Sequence, residues 1–224
     1  HEITPLYPAL VQLRCSHPAL KGLKGIRTQA ELTLMIDDQA VLRETGELLL
    51  TDYGVSGVCV FQLSRKAAPA LAQGRSVRLA VNFLPEIPSL LPWLDARIRQ
   101  LAPASLLALT TGVLPRLLAQ TVIREARLSP DMPAEALSGS EKQALCGALS
   151  AFPLVVTGTQ GFANAQVTRG GVSLADVDPS TMASRLFDGL HIIGELLDVD
   201  GPCGGYNLHF AFAGALAAAK AIAG

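Results

Sequence analysis

At 224 residues, half of them hydrophobic and 17% charged, the chain is long enough for one large domain or two small ones with real cores. Its 18 lysines and arginines nearly balance 19 acids, and no basic block or arginine stripe appears, so charge gives no reason to expect nucleic acid or an anionic membrane as partner. Four scattered cysteines, Cys15, Cys59, Cys146 and Cys203, show neither the CxxC pairing of a zinc site nor the density of a disulfide scaffold, and a reducing cytoplasm is the expected location.

The opening "HEITPLYPAL" lacks the basic head and apolar core of a signal peptide and resembles mid-protein sequence. "IRTQAELTLMID", Ile26 to Asp37, alternates as a strand does, and "AVLRETGELLLT" reads as two strands folded about a Thr45-Gly46 turn. "GVSGVCVFQLSRKAAPALAQG" has apolar residues at helical spacing and ends at Gly74, with Ser56 as the expected cap and Arg65-Lys66 on a solvated face. "SVRLAVNF" is another strand. From Pro88 to Leu128 the pattern is helical, divided by Pro92, Pro103, Gly112 and Pro115. Ser138 with Glu141 makes a capping box for a further helix to about Leu149.

The character changes at Phe152. "FPLVVTGTQGFANAQVTRGGV" is strand-like and punctuated by glycines, a loop runs through Asp178-Pro179, and "GLHIIGE", Gly189 to Glu195, reads as a buried interior strand holding His191. A small-residue helix begins near Tyr206; its apolar run, Leu208 to Ala219, is too short and alanine-rich to span a bilayer. A division near residue 150 follows, with a mixed β-then-α part before it and a strand, loop and helix unit after it.

That closing unit carries the chemistry. Gly204-Gly205 stand just before a helix whose first N–H groups are free donors at the positive end of its dipole, so an electron-rich ligand edge fits there. Glu195, Asp198 and Asp200 flank the loop, placed to accept hydrogen bonds from sugar-like hydroxyls. The alternative is that the glycines only make a tight turn and the acids cap it. Elsewhere the signals are weaker. "GVSG" is one residue short of a nucleophile elbow, Tyr53 and Trp93 read as packing residues, and Cys203 lacks a CxxC partner.

The ordered pieces "VTRGGV", "TMASR", "GLHIIGELLDVDG" and "GGYNL", with "PALVQL", "LKGL", "GELLLTDYGVSG" and "QLSR" before them, resemble the aminoacetone-oxidase-like and bile-acid-inducible flavoproteins, a bacterial family of predicted FAD-dependent oxidoreductases. The resemblance covers nearly the whole chain. It implies an α+β and α/β fold: a crossover over residues 1–20, an insert domain over 21–150 with a β-barrel-like and a small helical part, and the C-terminal portion of a Rossmann-like FAD domain over 151–224. Members carry a GxGxxG turn in an N-terminal half; no GxGxxG stands in this chain. On that reading the chain is a truncated flavoprotein.

Carried over from the closing motif, Gly204, Gly205, Tyr206, Asn207 and Leu208 would face the flavin ring, Glu195 and Asp198 would lie near the ribityl chain, Gly170 and Gly171 would sit in a loop nearby, and Gly194 would also belong to the cofactor site. FAD is the implied cofactor, NAD(P)H a possible reductant, and a small organic molecule the substrate. His209 and Cys203 depart from the glutamine and threonine usual in the family, and Asp52 and Val58 from its histidine and proline. The rival reading is an isolated binding or structural domain that holds no cofactor by itself.

Overall fold

The computed structural model describes residues 1–224. Strand β1 (Ile3–Ala9) and the short β2 (Leu13–Ser16) are followed, after a 3-10 turn, by β3 (Arg27–Ile36) and β4 (Gln39–Leu50). Ala30, Leu32, Leu34 and Ile36 are buried at every second position of β3, the period of a strand with one face on a core. The hairpin turns at Asp37-Asp38, where both φ angles are positive (48° and 64°), as a tight two-residue connection requires.

The turn expected at Thr45-Gly46 is therefore absent: β4 runs straight through and pairs with β3 from Gln39 to Leu49. Gly46 lies opposite Ala30, and a Cβ on it would stand 3.5 Å from the Cβ of Cys59. It lies within the β4 ladder at ordinary contact distance from Cys59 and makes no turn.

Helix α1 (Val58–Ala72) is reached through β5 (Gly54–Ser56). Ser56 is buried in β5 and does not cap it; the N-cap is Gly57, with φ 119°, where a Cβ would lie 2.3 Å from the Glu47 carbonyl oxygen. After β6 (Val77–Asn82) come α2 (Leu90–Leu101), α3 (Leu106–Leu109), α4 (Arg116–Glu125) and α5 (Gly139–Ser150). Pro103, Gly112 and Pro115 separate them as expected. Pro92 does not divide α2, because it falls in the first turn, where backbone N–H groups have no intrahelical partner. The capping box is present: Ser138 Oγ accepts from Glu141 N, and Glu141 Oε2 accepts from Ser138 N at 2.8 Å.

The chain ends with β7 (Phe152–Thr159), β8 (Val167–Val172) and α6 (Tyr206–Ala223). Six antiparallel strands close a barrel in the order β2-β5-β4-β3-β6-β7, and β7 returns to pair with β2. The barrel thus takes strands from both sides of residue 150. Helix α1 packs on every barrel strand, and Val60, Leu63 and Ala67 are wholly buried there, within one core of 39 residues that continues under α2 to α5. No helix is long and apolar enough to cross a membrane.

Beyond the barrel, β1 and β8 form a separate two-stranded sheet. The expected interior strand over Gly189 to Glu195 is absent. Gly194 turns the backbone to φ 63° and opens a 3-10 turn over Gly194–Leu196, while His191 joins Ala183 by a single bridge and gives a ring-nitrogen contact to the Thr181 carbonyl at 2.9 Å. A small cluster, Val177, Met182, Ile192, Leu197 and Ala218, seats α6 on these loops. The helix leaves Leu208, Phe212 and Leu216 exposed.

Candidate functional site

Glu195 lines two of the cavities that open on the C-terminal segment. The first, about 430 Å3, lies between the start of α6 (Gly204, Gly205, Asn207, Leu208) and the edge formed by Leu10, Gln166 and Val167. The second, about 560 Å3, is lined by Ile3 and Leu6 of β1 and by Gly170 and Gly171 of β8. Of the residues singled out in the sequence, five meet at the first cavity and two at the second alone. Gly194, Asp198 and Tyr206 line neither.

The two glycine pairs differ physically. Gly170 and Gly171 lie in strand β8 rather than in a loop; a Cβ on Gly170 would stand 2.2 Å from the Pro5 carbonyl oxygen, and one on Gly171 2.5 Å from that of Leu196. They are small because backbones cross there. A Cβ on Gly205 would meet nothing within 4 Å, so packing does not demand glycine at that position. Its φ of 93° does favour glycine, and it leaves the backbone open towards the cavity. No side chain caps α6, and the N–H groups of Tyr206, Asn207 and Leu208 have no partner in the protein.

Several polar groups are already committed. Asn207 clamps the loop in front of it, accepting from Gly201 N at 2.7 Å and donating to Gly201 O at 3.1 Å. Glu195 Oε1 accepts from Thr168 N, which ties the 3-10 turn to β8. Asp198 N donates to Val172 O at 2.9 Å, and Gly194 packs on Ala211 of α6. The cavity's remaining polar side chain is Gln166, whose Oε1 lies 3.6 Å from Cys203 Sγ.

The sequence reading missed what holds this loop from behind. Arg65 is not solvated, although Lys66 is: Arg65 Nε donates to Asp200 Oδ2 at 2.6 Å and its Nη2 donates to the Asp200 carbonyl. Arg169 stands 3.6 Å from the other Asp200 carboxylate oxygen and donates to Arg65 O. One turn earlier on α1, Gln62 Oε1 accepts from Cys203 N at 3.1 Å. The only signal in the sequence was the i, i+3 spacing of Gln62 and Arg65, which puts both on one helix face.

Away from the cavities the titratable groups are ordinary in role. Burial pushes the Cys15 thiol up to about 12, and burial also raises Cys59 and Cys146. Asp52, where the resembled family has a histidine, is held below its usual range by a hydrogen bond from Lys24 at 2.7 Å.

A family model described as "HI0933-like protein barrel and H2TH domain" matches residues 7–167, which take in the whole barrel and helices α1 to α5. The chain belongs to the HI0933-like family. It is 37% identical, over its full length and 55% of the relative, to a "3-dehydro-bile acid delta(4,6)-reductase" of Clostridium scindens. It is 32% identical, over 97% of its own length and 52% of the relative, to a "Ribosomal RNA dihydrouridine synthase" of Escherichia coli. A protein of the same name from Haemophilus influenzae is 29% identical over 91% of the chain and 48% of the relative. The chain spans about half the length of the curated relatives it matches.

Proposed function

We propose that this chain forms part of a flavoprotein oxidoreductase, with Gly204 to Leu208 approaching the ring edge of FAD. The observation that carries the reading is the first cavity: an uncapped helix start and a glycine that packing does not require, facing about 430 Å3. That volume suits one ring system and lies within the range of small-ligand sites. The free N–H groups of the first turn of α6 would hold an electron-rich edge, and Asn207 would hold the loop, not the ligand. Glu195 has one carboxylate oxygen left for a ribityl hydroxyl, while Asp198 would act only through its backbone.

When bound, FAD supplies hydride transfer at its N5 position; the chain's residues bind, orient and exclude water. The reductive direction is supported by the relatives' names, a reductase and two dihydrouridine synthases. A small organic substrate and NAD(P)H as reductant complete the proposal; the net charge of −1, with no basic stripe, favours a small molecule over RNA. The barrel and its helices would roof the substrate side, with β1 and the segment after β7 belonging to the FAD side. The exposed apolar residues of α6 would be covered by the rest of that FAD domain.

We further propose that the chain alone holds no FAD, because no GxGxxG turn is present for the pyrophosphate. The test is a near-ultraviolet and visible spectrum of the chain, with FAD and with a longer protein that adds a GxGxxG half. Flavin bands retained only with that half support the reading. No retention in either form refutes it, and the isolated binding-domain reading then leads.

A further inference from the structure

The loop that shapes the first cavity, Gly201 to Gly205, has no regular structure of its own, and its backbone is gripped from two sides. On one side Asn207 of α6 makes both bonds to Gly201. On the other, α1 of the barrel takes Asp200 with Arg65 and Cys203 with Gln62. The Asp200 side chain is only 10% exposed and lies between two guanidinium groups, Arg65 and Arg169, themselves 27% and 31% exposed. An ion pair this shielded is held by geometry, and the planar fork of Arg65 reaches a carboxylate oxygen and a carbonyl oxygen at once. The cavity wall of one segment is thereby fastened to a helix of the other.

We infer that Arg65, assisted by Gln62, is a positioning residue for the ligand: it fixes the Gly201 to Gly205 loop, so the barrel sets the geometry of the site on the C-terminal segment. That the ligand is flavin rests on the function proposed above. Arg65 touches no ligand itself; it acts through Asp200 on the backbone that does. The barrel is then part of the cofactor site as well as its roof. Lysine at this position keeps the charge but reaches one of the two acceptors, so it should restore part of the effect and not all.

The test uses Arg65→Met and Arg65→Lys in the longer protein that adds a GxGxxG half, with amide hydrogen exchange and FAD titration as separate readouts. With methionine, exchange of the Gly201 and Cys203 amides, the two in the loop that are hydrogen-bonded, should speed by at least about tenfold, and FAD affinity should fall by a similar factor, as expected when a shielded charge loses its partner. Lysine should fall between, and exchange in β3 and β4 should not change. Loop exchange that stays at the wild-type rate in Arg65→Met overturns the inference. So does a faster loop with unchanged FAD affinity. If the wild-type protein takes no FAD, the proposed function falls on its own, and the exchange result alone decides whether α1 holds the loop.

Discussion

Replacing Gly171 and Gly205 by alanine, one at a time, separates packing from ligand approach. At Gly171, with φ 141°, the new methyl would lie 2.5 Å from the Leu196 carbonyl oxygen and 3.0 Å from the Leu197 carbonyl carbon, both backbone atoms. Strand β8 and the turn after Gly194 must move apart, which breaks the seat of the small cluster beneath α6. Backbone strain of about 1–3 kcal/mol adds to this repacking, and we expect a total of roughly 3–5 kcal/mol. At Gly205 the methyl meets nothing within 4 Å, so only the positive φ is penalised, by about 1–2 kcal/mol. For a chain of this size each kcal/mol moves Tm by about 2–4 °C, so the expected losses are roughly 6–20 °C and 2–8 °C. Thermal unfolding followed by circular dichroism gives the first comparison, and FAD titration of the longer protein the second. Gly205→Ala should weaken FAD binding out of proportion to its stability cost. Equal destabilisation by both variants would show that Gly205 is a packing residue, and unchanged FAD affinity in Gly205→Ala would refute ligand approach at that point.

Three other outcomes test the architecture. Leu63→Ala removes a wholly buried side chain from the helix that packs on every barrel strand, and chemical denaturation should show a loss of about 2.7–5 kcal/mol. Thiol labelling of the native chain should reach the half-buried Cys203 first, while Cys15, buried and with its thiol raised to about 12, reacts only on unfolding. Asp37, Asp52, Glu141 and Asp178 are all held below their ordinary values of 3.8 and 4.5, first by hydrogen bonds from Arg75, Lys24, Ser138 and Ser180. A lowered folded pKa stabilises above the unfolded value and loses that contribution as pH falls through the folded one, so the denaturation midpoint should drop as pH is taken below 3.8. Glu141→Gln and Asp37→Asn should flatten that drop.

Much of the fold could be read from local chemistry, because local chemistry decides it. The Ser138 and Glu141 box, the alternation in Ile26 to Asp37 and the helical spacing before Gly74 each specify an element without help from distant residues. The errors arose where tertiary contact overrides a local sign. Gly46 looks like a turn but lies mid-strand opposite Ala30, whereas the true turn at Asp37-Asp38 uses two residues that tolerate positive φ less visibly than glycine does. "GLHIIGE" has strand composition, but Gly194 bends it and it lies in no ladder. At the site, the glycine loop was legible as a departure from packing logic. Arg65 was not, since nothing in a helix sequence tells whether an exposed-looking arginine has a carboxylate waiting more than a hundred residues downstream.

The pairing of β2 with β7 has a consequence for how the protein is made. Leu13 to Ser16 are synthesised well before their partners, Val155 to Thr159, which follow only after the whole helical section. At about 5–20 residues per second, the interval is roughly 7–27 s. For the part of that time between the synthesis of β6 and that of β7, strands β2 to β6 form an open sheet with two unpaired edges and an apolar inner face. Nascent chains arrested before β7 are then the species most exposed to association with one another, and the ones for which holding by a chaperone matters most.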